Sequence, residues 1–177
     1  MVEAAGRLDL DQGSGTISLP LRMPRAAIAA FALNLAQAAE LEGFKFDDKV
    51  KLGNADLVLN GHPLRVIGTH LDLSGLWRRR QIRALLARLD GAAHHLPTVL
   101  MGDFNQWSDR GALSEFAFHH HRLVKTPPSF HSNRPVARLD RIIVSHDIMV
   151  ESSGAHQSDL SKRASDHLPL WATLKYA

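Results

Sequence analysis

The chain has 177 residues, 45% of them apolar and 22% charged, with a formal net charge of +3 and no cysteine. It is long enough for one domain with a hydrophobic core and too apolar for a disordered chain. The lack of cysteine excludes a disulfide framework, a thiolate metal site and a cysteine nucleophile. The mild basic excess suits a phosphate-bearing ligand without by itself indicating nucleic acid, and no run of residues is long and apolar enough to span a bilayer.

In chain order, Met1 to Pro20 is weakly patterned, with a loop at Asp11–Gly15 and a short strand predicted over Thr16–Leu19. A helix is predicted from about Ala26 to Leu41. Ile28, Phe31, Leu35 and Ala38 recur at helical spacing, Pro24 stands near the start and Gly43 just past the end. Read from Met23, the same segment has the charged start, short apolar stretch and Ala-x-Ala end of a secretory signal. Read from Met1, it lies too far into the chain for that, so the expectation is a helix in a cytoplasmic protein. Phe44–Leu52 is predicted as an edge strand. Asp56–Leu59 and Leu64–Ile67 read as two strands joined at Asn60-Gly61-His62, where Asn-Gly is a strong hairpin signal.

Leu76–Leu89 carries the clearest helical pattern, with an apolar stripe of Leu76, Ile82, Leu85, Leu86 and Leu89 and with Ser74 as N-cap. Its arginines, Arg78, Arg79, Arg80, Arg83 and Arg88, read as a solvated face, with contact to nucleic acid or anionic lipid as the competing reading. Val99–Met101 reads as a buried strand after Pro97. Ala112–Phe118 reads as a short helix packed through Leu113, Phe116 and Phe118, with His119-His120-His121 as its exposed end rather than a metal site. Leu139–Val144 and Leu168–Leu174 are predicted strands, and the polar stretch Glu151–Lys162 between them a loop with a short irregular element. Helices alternating with strands argue for an α/β layered domain.

Four short motifs fall at predicted strand ends: Thr69-His70-Leu71, Gly102-Asp103-Phe104-Asn105, Leu139-Asp140-Arg141-Ile142 and Ser165-Asp166-His167-Leu168-Pro169. Singly, each has a plain structural reading. His70 can be a hydrogen-bonded core histidine, Asp103 and Asn105 turn residues, Asp140 a partner of Arg138 or Arg141, and Asp166 a turn residue before Pro169. In an extended segment Asp103 and Asn105 would face the same way, and a carboxylate beside a carboxamide suits a hard cation or a water aimed at phosphorus.

Together and in this order, the motifs resemble those of the endonuclease/exonuclease/phosphatase superfamily, the metal-dependent phosphoesterases related to DNase I. The resemblance runs over roughly residues 53–177 and includes Arg79-Arg80-Gln81 in the helix. It implies a DNase I-like four-layer α/β sandwich and hydrolysis of a phosphate ester with Mg²⁺ or Mn²⁺. It further implies that Asp103 orients or deprotonates the attacking water and that Asn105 holds that water or a phosphate oxygen. His167, held by Asp140, would donate to a phosphate oxygen, His70 would be the second histidine on the phosphate, and Asp166 would be a metal ligand. The substrate would be a nucleic acid, nucleotide, inositol phosphate or phospholipid.

The chain departs from the family at its N-terminal side. The family's Asn-bearing strand and the strand ending in Gln-Glu, whose Glu is the principal metal ligand, have no counterpart here. Asn34 lies in the predicted helix and Glu40 and Glu42 at its end, while nothing in the pattern supports Asp47 or Asp48 as substitutes. The chain is therefore read as one domain, 1–177, in which an atypical segment, 1–52, precedes a family-like region, 53–177, truncated relative to the family. A sheet so shortened is expected to favour a homo-oligomer that covers it. The alternative to an enzyme is a catalytically incomplete member that binds a phosphate or a protein.

Overall fold

The computed structural model describes residues 17–18, 52–59, 61–92 and 94–176. The predicted helix over 26–41, residues 44–51 of the predicted edge strand, and Glu40, Glu42, Asp47 and Asp48 lie outside the described residues. Of the strand predicted near the start, β1 covers Ile17–Ser18.

β2 (Leu52–Leu59) and β3 (His62–His70) form the expected hairpin, both longer than the sequence pattern alone marks. Leu59 pairs with His62, and Gly61 takes φ +82°, the left-handed conformation that tight hairpin turns demand. Helix α1 (Gly75–Asp90) carries the chain over to β4 (Thr98–Asp103), which lies parallel to β3 as a crossover connection requires. A 3₁₀ turn (Gly111–Ser114), a four-residue α2 (Glu115–Phe118) and the short β5 (His121–Leu123) follow. β6 (Asp140–Ser145), β7 (Ile148–Ala155), α3 (Asp159–Ala164) and β8 (Leu170–Tyr176) complete the described chain.

The strands make a five-stranded sheet in the order β2-β3-β4-β6-β5 and a three-stranded sheet in the order β1-β8-β7. The two-residue alternation along β4 and β6 sends side chains into two cores. On one face Leu100 and Ile143 meet Ile82, Leu85 and Leu86 of α1 together with Phe104, Leu113 and Phe116. On the other, Val99, Ile142 and Val144 meet Ile148, Leu170 and Leu174 of the second sheet. Both faces of β4 are covered, which is why Val99-Leu100-Met101 reads as an unbroken apolar run. Each fully buried aliphatic side chain there contributes on the order of 1.5–3 kcal/mol. The described residues thus supply a helix layer, a sheet and a second sheet. No helix among them is long and apolar enough to cross a membrane.

Several expectations change. Residues 151–162 hold most of β7 and the start of α3 rather than a loop. β7 pairs with β8 through a register shift between Val150 and Ser152, so a bulge interrupts the alternation that sequence reading relies on. α3 opens with a reciprocal capping box between Ser158 and Ser161. Phe118 is 83% exposed, whereas Leu113 and Phe116 are fully buried. Leu76, placed in the apolar stripe of α1, is exposed as well. Ser74 occupies the N-cap of α1 without a side-chain capping bond. The arginine face is engaged within the protein, since Arg78 donates to Asp72 O and Leu73 O, Arg79 and Arg83 both reach Glu115, and Arg80 lies over the Trp77 ring. The histidine run is not uniformly exposed, for His121 starts β5 and is buried.

Candidate active site

The site begins with a glycine. Gly102 has φ +143°, and a Cβ there would sit 1.8 Å from the Thr69 carbonyl oxygen. Only glycine lets β3 and β4 come this close at their C-terminal ends. The register that results pairs His70 with Asp103 across the parallel ladder and Asp103 with Asp140 across the antiparallel one. Two backbone bonds carry the ladders one step further, Leu71 N–H to Asp103 O at 2.8 Å and Phe104 N–H to Leu139 O at 2.9 Å. Phe104 is fully buried and meets Phe116 edge-on, which pins the backbone between the two polar residues.

Asp103 and Asn105 do not continue an extended strand as the sequence suggested. Asn105 takes φ +50°, and its backbone N–H donates to Asp103 Oδ1 at 2.8 Å. This is the local side-chain-to-backbone bond that Asp makes two residues on, and it turns the chain. The Asn105 carboxamide then donates to Leu71 O at 2.7 Å, fastening it across the end of β3.

On the other flank, Asp140 Oδ2 accepts from Ser129 Oγ at 2.5 Å and lies 2.7 Å from His167 Nδ1. An ionised carboxylate can only accept, so Nδ1 carries a proton and Nε2 is the other polar atom of the ring. That Nε2 lies 4.0 Å from Asp103 Oδ2, and the half-exposed His70 presents its own Nε2 to the same oxygen at 3.7 Å. Phe130 packs on the His167 ring, with centroids 5.0 Å apart. The loop that carries Ser129 and Phe130 is tied down by Leu168 N–H to Ser129 O and by Ser132 N–H to Asp166 O. Ser129 and Phe130 were not singled out from sequence. A serine after two prolines carries no local signal, and only the tertiary bond reveals it.

Arg141 and Arg138 do not pair with Asp140's carboxylate. The alternation of β6 turns Arg141 away into a buried position, where it meets Asp109 at 3.0 Å and donates to Gln106 O at 3.1 Å. It thereby braces the loop that follows Asn105. Trp107, on that loop, is 70% exposed.

The charges are not balanced. Burial, then the neighbouring Asp140 charge, push the Asp103 carboxyl above its ordinary range, against the opposing pull of the Asn105 N–H and the two imidazoles. Burial pulls His167 down. The Asp140 hydrogen bond and charge, with the charges of Asp103 and Asp166, outweigh it and raise the imidazole's pKa, which favours the imidazolium.

Among the described residues, one group has three potential metal-ligating atoms all within 4.8 Å of one another: Asp103, Asp140 and His167. Asp166 is adjacent in sequence and acts on His167 through its charge but is not a member of that group. Asp140 Oδ2 and His167 Nδ1 are engaged with each other, and Asp103 Oδ2 has no hydrogen bond among the described residues. This is no closed tetrahedral cage. It fits a hard cation of the Mg²⁺ or Mn²⁺ kind, which takes one or two carboxylates and keeps waters or substrate oxygens for the rest.

A model of the Endonuclease/Exonuclease/phosphatase family matches residues 17–167. The chain belongs to that family. The match extends N-terminal of residue 53, where the motif resemblance began. No curated protein matches the chain. Among solved structures, a conserved protein of unknown function from Enterococcus faecalis V583 is 25% identical with a TM-score of 0.59, over 71% of this chain and 55% of that one. A mannosyl-6-phosphatase from Bacteroides thetaiotaomicron is 19% identical with a TM-score of 0.57, over 71% of this chain and 56% of that one. The human nocturnin catalytic domain, solved with a bound sulfate anion, is 22% identical with a TM-score of 0.57, over 71% and 52%. The chain spans a little over half the length of these endonuclease/exonuclease/phosphatase-type structures. The likeness makes its architecture a DNase I-like α/β sandwich.

Proposed function

We propose that this family member hydrolyses a phosphate ester at the pocket where β3, β4 and β6 end, in the presence of Mg²⁺ or Mn²⁺. The observation that carries the reading is the position of Asp103 Oδ2. It lies between the Nε2 atoms of His70 and His167, at 3.7 and 4.0 Å, with Asp140 behind His167. Hydrolysis needs a water held in line with the leaving group and compensation for charge on the phosphoryl oxygens. Asp103, with a carboxyl displaced upward, orients the water and accepts its proton. His167 donates from Nε2 to a non-bridging oxygen, Asp140 fixing the ring and its charge. His70 donates from the opposite side, and Asn105 holds the water or an oxygen. A divalent ion, held by Asp166 and the open oxygen of Asp103, would neutralise charge on the phosphoryl group when bound.

Family members are phosphate-ester hydrolases, and the neighbours' printed descriptions, a phosphatase and a domain holding sulfate, agree with an anion pocket here. The test uses bis-p-nitrophenyl phosphate with Mg²⁺ or Mn²⁺. Turnover should be abolished by EDTA and fall by at least about 10²–10³-fold in Asp103→Asn. Equal rates for wild type and variant would overturn the enzymatic reading. They would favour a phosphate-binding member, for which the specific observation is that the described acidic group contains no glutamate.

A further inference from the structure

The connections at the active-site end of the five-stranded sheet expose apolar side chains that the phosphoesterase chemistry does not use. Leu73 is 82% exposed, and Leu76, Trp77, Trp107, Val136 and Leu160 are exposed as well. These six are more than half of the large apolar side chains exposed among the described residues. Each lies on a segment tied to the pocket. Leu73 follows Leu71, whose carbonyl accepts from the Asn105 carboxamide at 2.7 Å, and leads into Leu76 and Trp77 in the first turn of α1. Trp107 is two residues beyond Asn105. Val136 closes a turn through its N–H to Phe130 O at 2.7 Å, and Phe130 packs on His167. Leu160 belongs to α3, where Lys162 O accepts from Ser132 Oγ at 3.1 Å, and Ser132 N–H donates to Asp166 O.

Surface loops ordinarily show polar groups and hide apolar ones. Here the polar atoms are turned inward to fix the backbone. Asp72 N–H donates to Gln81 Oε1 at 2.8 Å, Ser74 N–H to Asp72 Oδ1 at 2.7 Å, and Arg78 to Asp72 O and Leu73 O. In the loop after β4, the buried Gln106 carboxamide donates to Ser108 O and Arg110 O, and Arg110 N–H to Ser108 Oγ. Leu73 and Trp107 are thus left in water by backbone that is held in place. Apolar surface gathered in this way around a pocket marks a binding face. Arg110, Arg134 and Arg163 are exposed on the same connections, and none forms an ion pair with a described residue.

We propose that the mouth of the pocket docks on an anionic lipid bilayer. Leu73, Trp107 and their apolar neighbours enter the interface, and the three arginines meet headgroup phosphates. A protein partner across this face would close a pocket that must exchange ester, water and product. Nucleic acid would use the tryptophans and arginines but not the exposed aliphatic side chains. A bilayer uses both and brings phosphate esters to the pocket. That a lipid's own ester is the substrate rests on the phosphoesterase reading. Water oxygen then bonds to phosphorus as the ester P–O bond breaks, and the departing alcohol takes up a proton. The docking itself does not rest on that reading.

The test is co-sedimentation of the full chain with vesicles of phosphatidylcholine alone or of equal parts phosphatidylcholine and phosphatidylglycerol. Wild type is compared with Leu73→Ser/Trp107→Ser, Arg110→Gln/Arg134→Gln and Asp103→Asn, each checked for its melt by circular dichroism. Wild type and Asp103→Asn should both bind the anionic vesicles, and bind the neutral ones at least about tenfold more weakly. The serine double variant should lose at least about tenfold in affinity for the anionic vesicles and keep wild-type turnover of soluble bis-p-nitrophenyl phosphate. The arginine double variant should lose about fivefold per charge removed. Wild type left in the supernatant, a serine variant that binds like wild type, or a wild-type dimer that the serine variant dissolves would each overturn the proposal. So would a single-stranded oligonucleotide bound by wild type in preference to the vesicles. Vesicle binding by a chain without turnover would remove the phosphoesterase reading and support the docking.

Discussion

The two ends of the five-stranded sheet are made from the same strands but treat their polar groups in opposite ways. At the far end, the Ser145 hydroxyl donates to Asp147 and accepts from the Thr98 N–H at 2.7 Å, joining β4 to the turn after β6. Those groups satisfy one another. At the near end, Asp103 and Asp140 face each other across the ladder, and Asp103 Oδ2 has two imidazole nitrogens just outside hydrogen-bond reach. Burial and the Asp140 charge raise the Asp103 carboxyl above its ordinary pKa, and the Asp140 hydrogen bond and the nearby acidic charges raise His167 against the pull of burial. Charge left unbalanced in a buried place is costly unless a ligand completes it. One end ties the strands together, and the other is the end at which a ligand is proposed to bind.

Paired substitutions separate the two most sharply. Asp140→Asn should lower phosphodiester turnover by about 10²–10³-fold while leaving the melt close to wild type. Ser145→Ala should do the reverse. It strands the Thr98 N–H and one Asp147 oxygen, costs about 1–3 kcal/mol of stability and leaves turnover intact. If both variants lost activity and stability in parallel, the division between the ends would be wrong.

Gly102→Ala joins the two quantities. Its Cβ has no room beside the Thr69 carbonyl, so urea denaturation should show a loss of about 3 kcal/mol or more. Turnover should fall with it, because the registers of His70 and Asp140 against Asp103 depend on that approach.

The smallest expected effect is at the far end. Tyr176 is the only tyrosine in the chain, stacks on His62 with centroids 4.9 Å apart, and has its phenol raised above 10.0 by burial and then by the Asp147 charge. A raised acid pKa means that the fold favours the neutral phenol. Its small contribution is complete below the unfolded value near 10 and is lost as pH rises through the folded one. Ultraviolet titration should show one phenolate forming above pH 10, moving toward the ordinary value in Asp147→Asn. A midpoint at the ordinary value in wild type would contradict the packing described.

Much of this was readable in the residues because it is local. The Asn-Gly hairpin, the apolar run of β4 and the stripe of α1 announce themselves through period and turn chemistry. The four motifs that meet at the pocket were visible as strand ends carrying His70, Asp103, Asn105, Asp140, Asp166 and His167. What escaped depends on contacts distant in sequence. The hold of Ser129 on Asp140 joins positions 11 apart through a loop. β7 is polar on its outer side and bulged, so no alternation marks it. α3 is capped by Ser158 and Ser161, without the glutamate that usually flags a capping box. Phe118 misled in the opposite sense, since helical spacing does not say which residue of a four-residue helix meets the core.

Whether this pocket receives a phosphoryl group is tested most directly by a crystal structure with Mn²⁺ and inorganic phosphate. A phosphate oxygen is expected within hydrogen-bond distance of His167 Nε2, with His70 and Asn105 around the same anion and the anomalous peak of the ion beside Asp103 and Asp166. Phosphate and manganese found elsewhere, with the ends of β3, β4 and β6 holding only water, would contradict it.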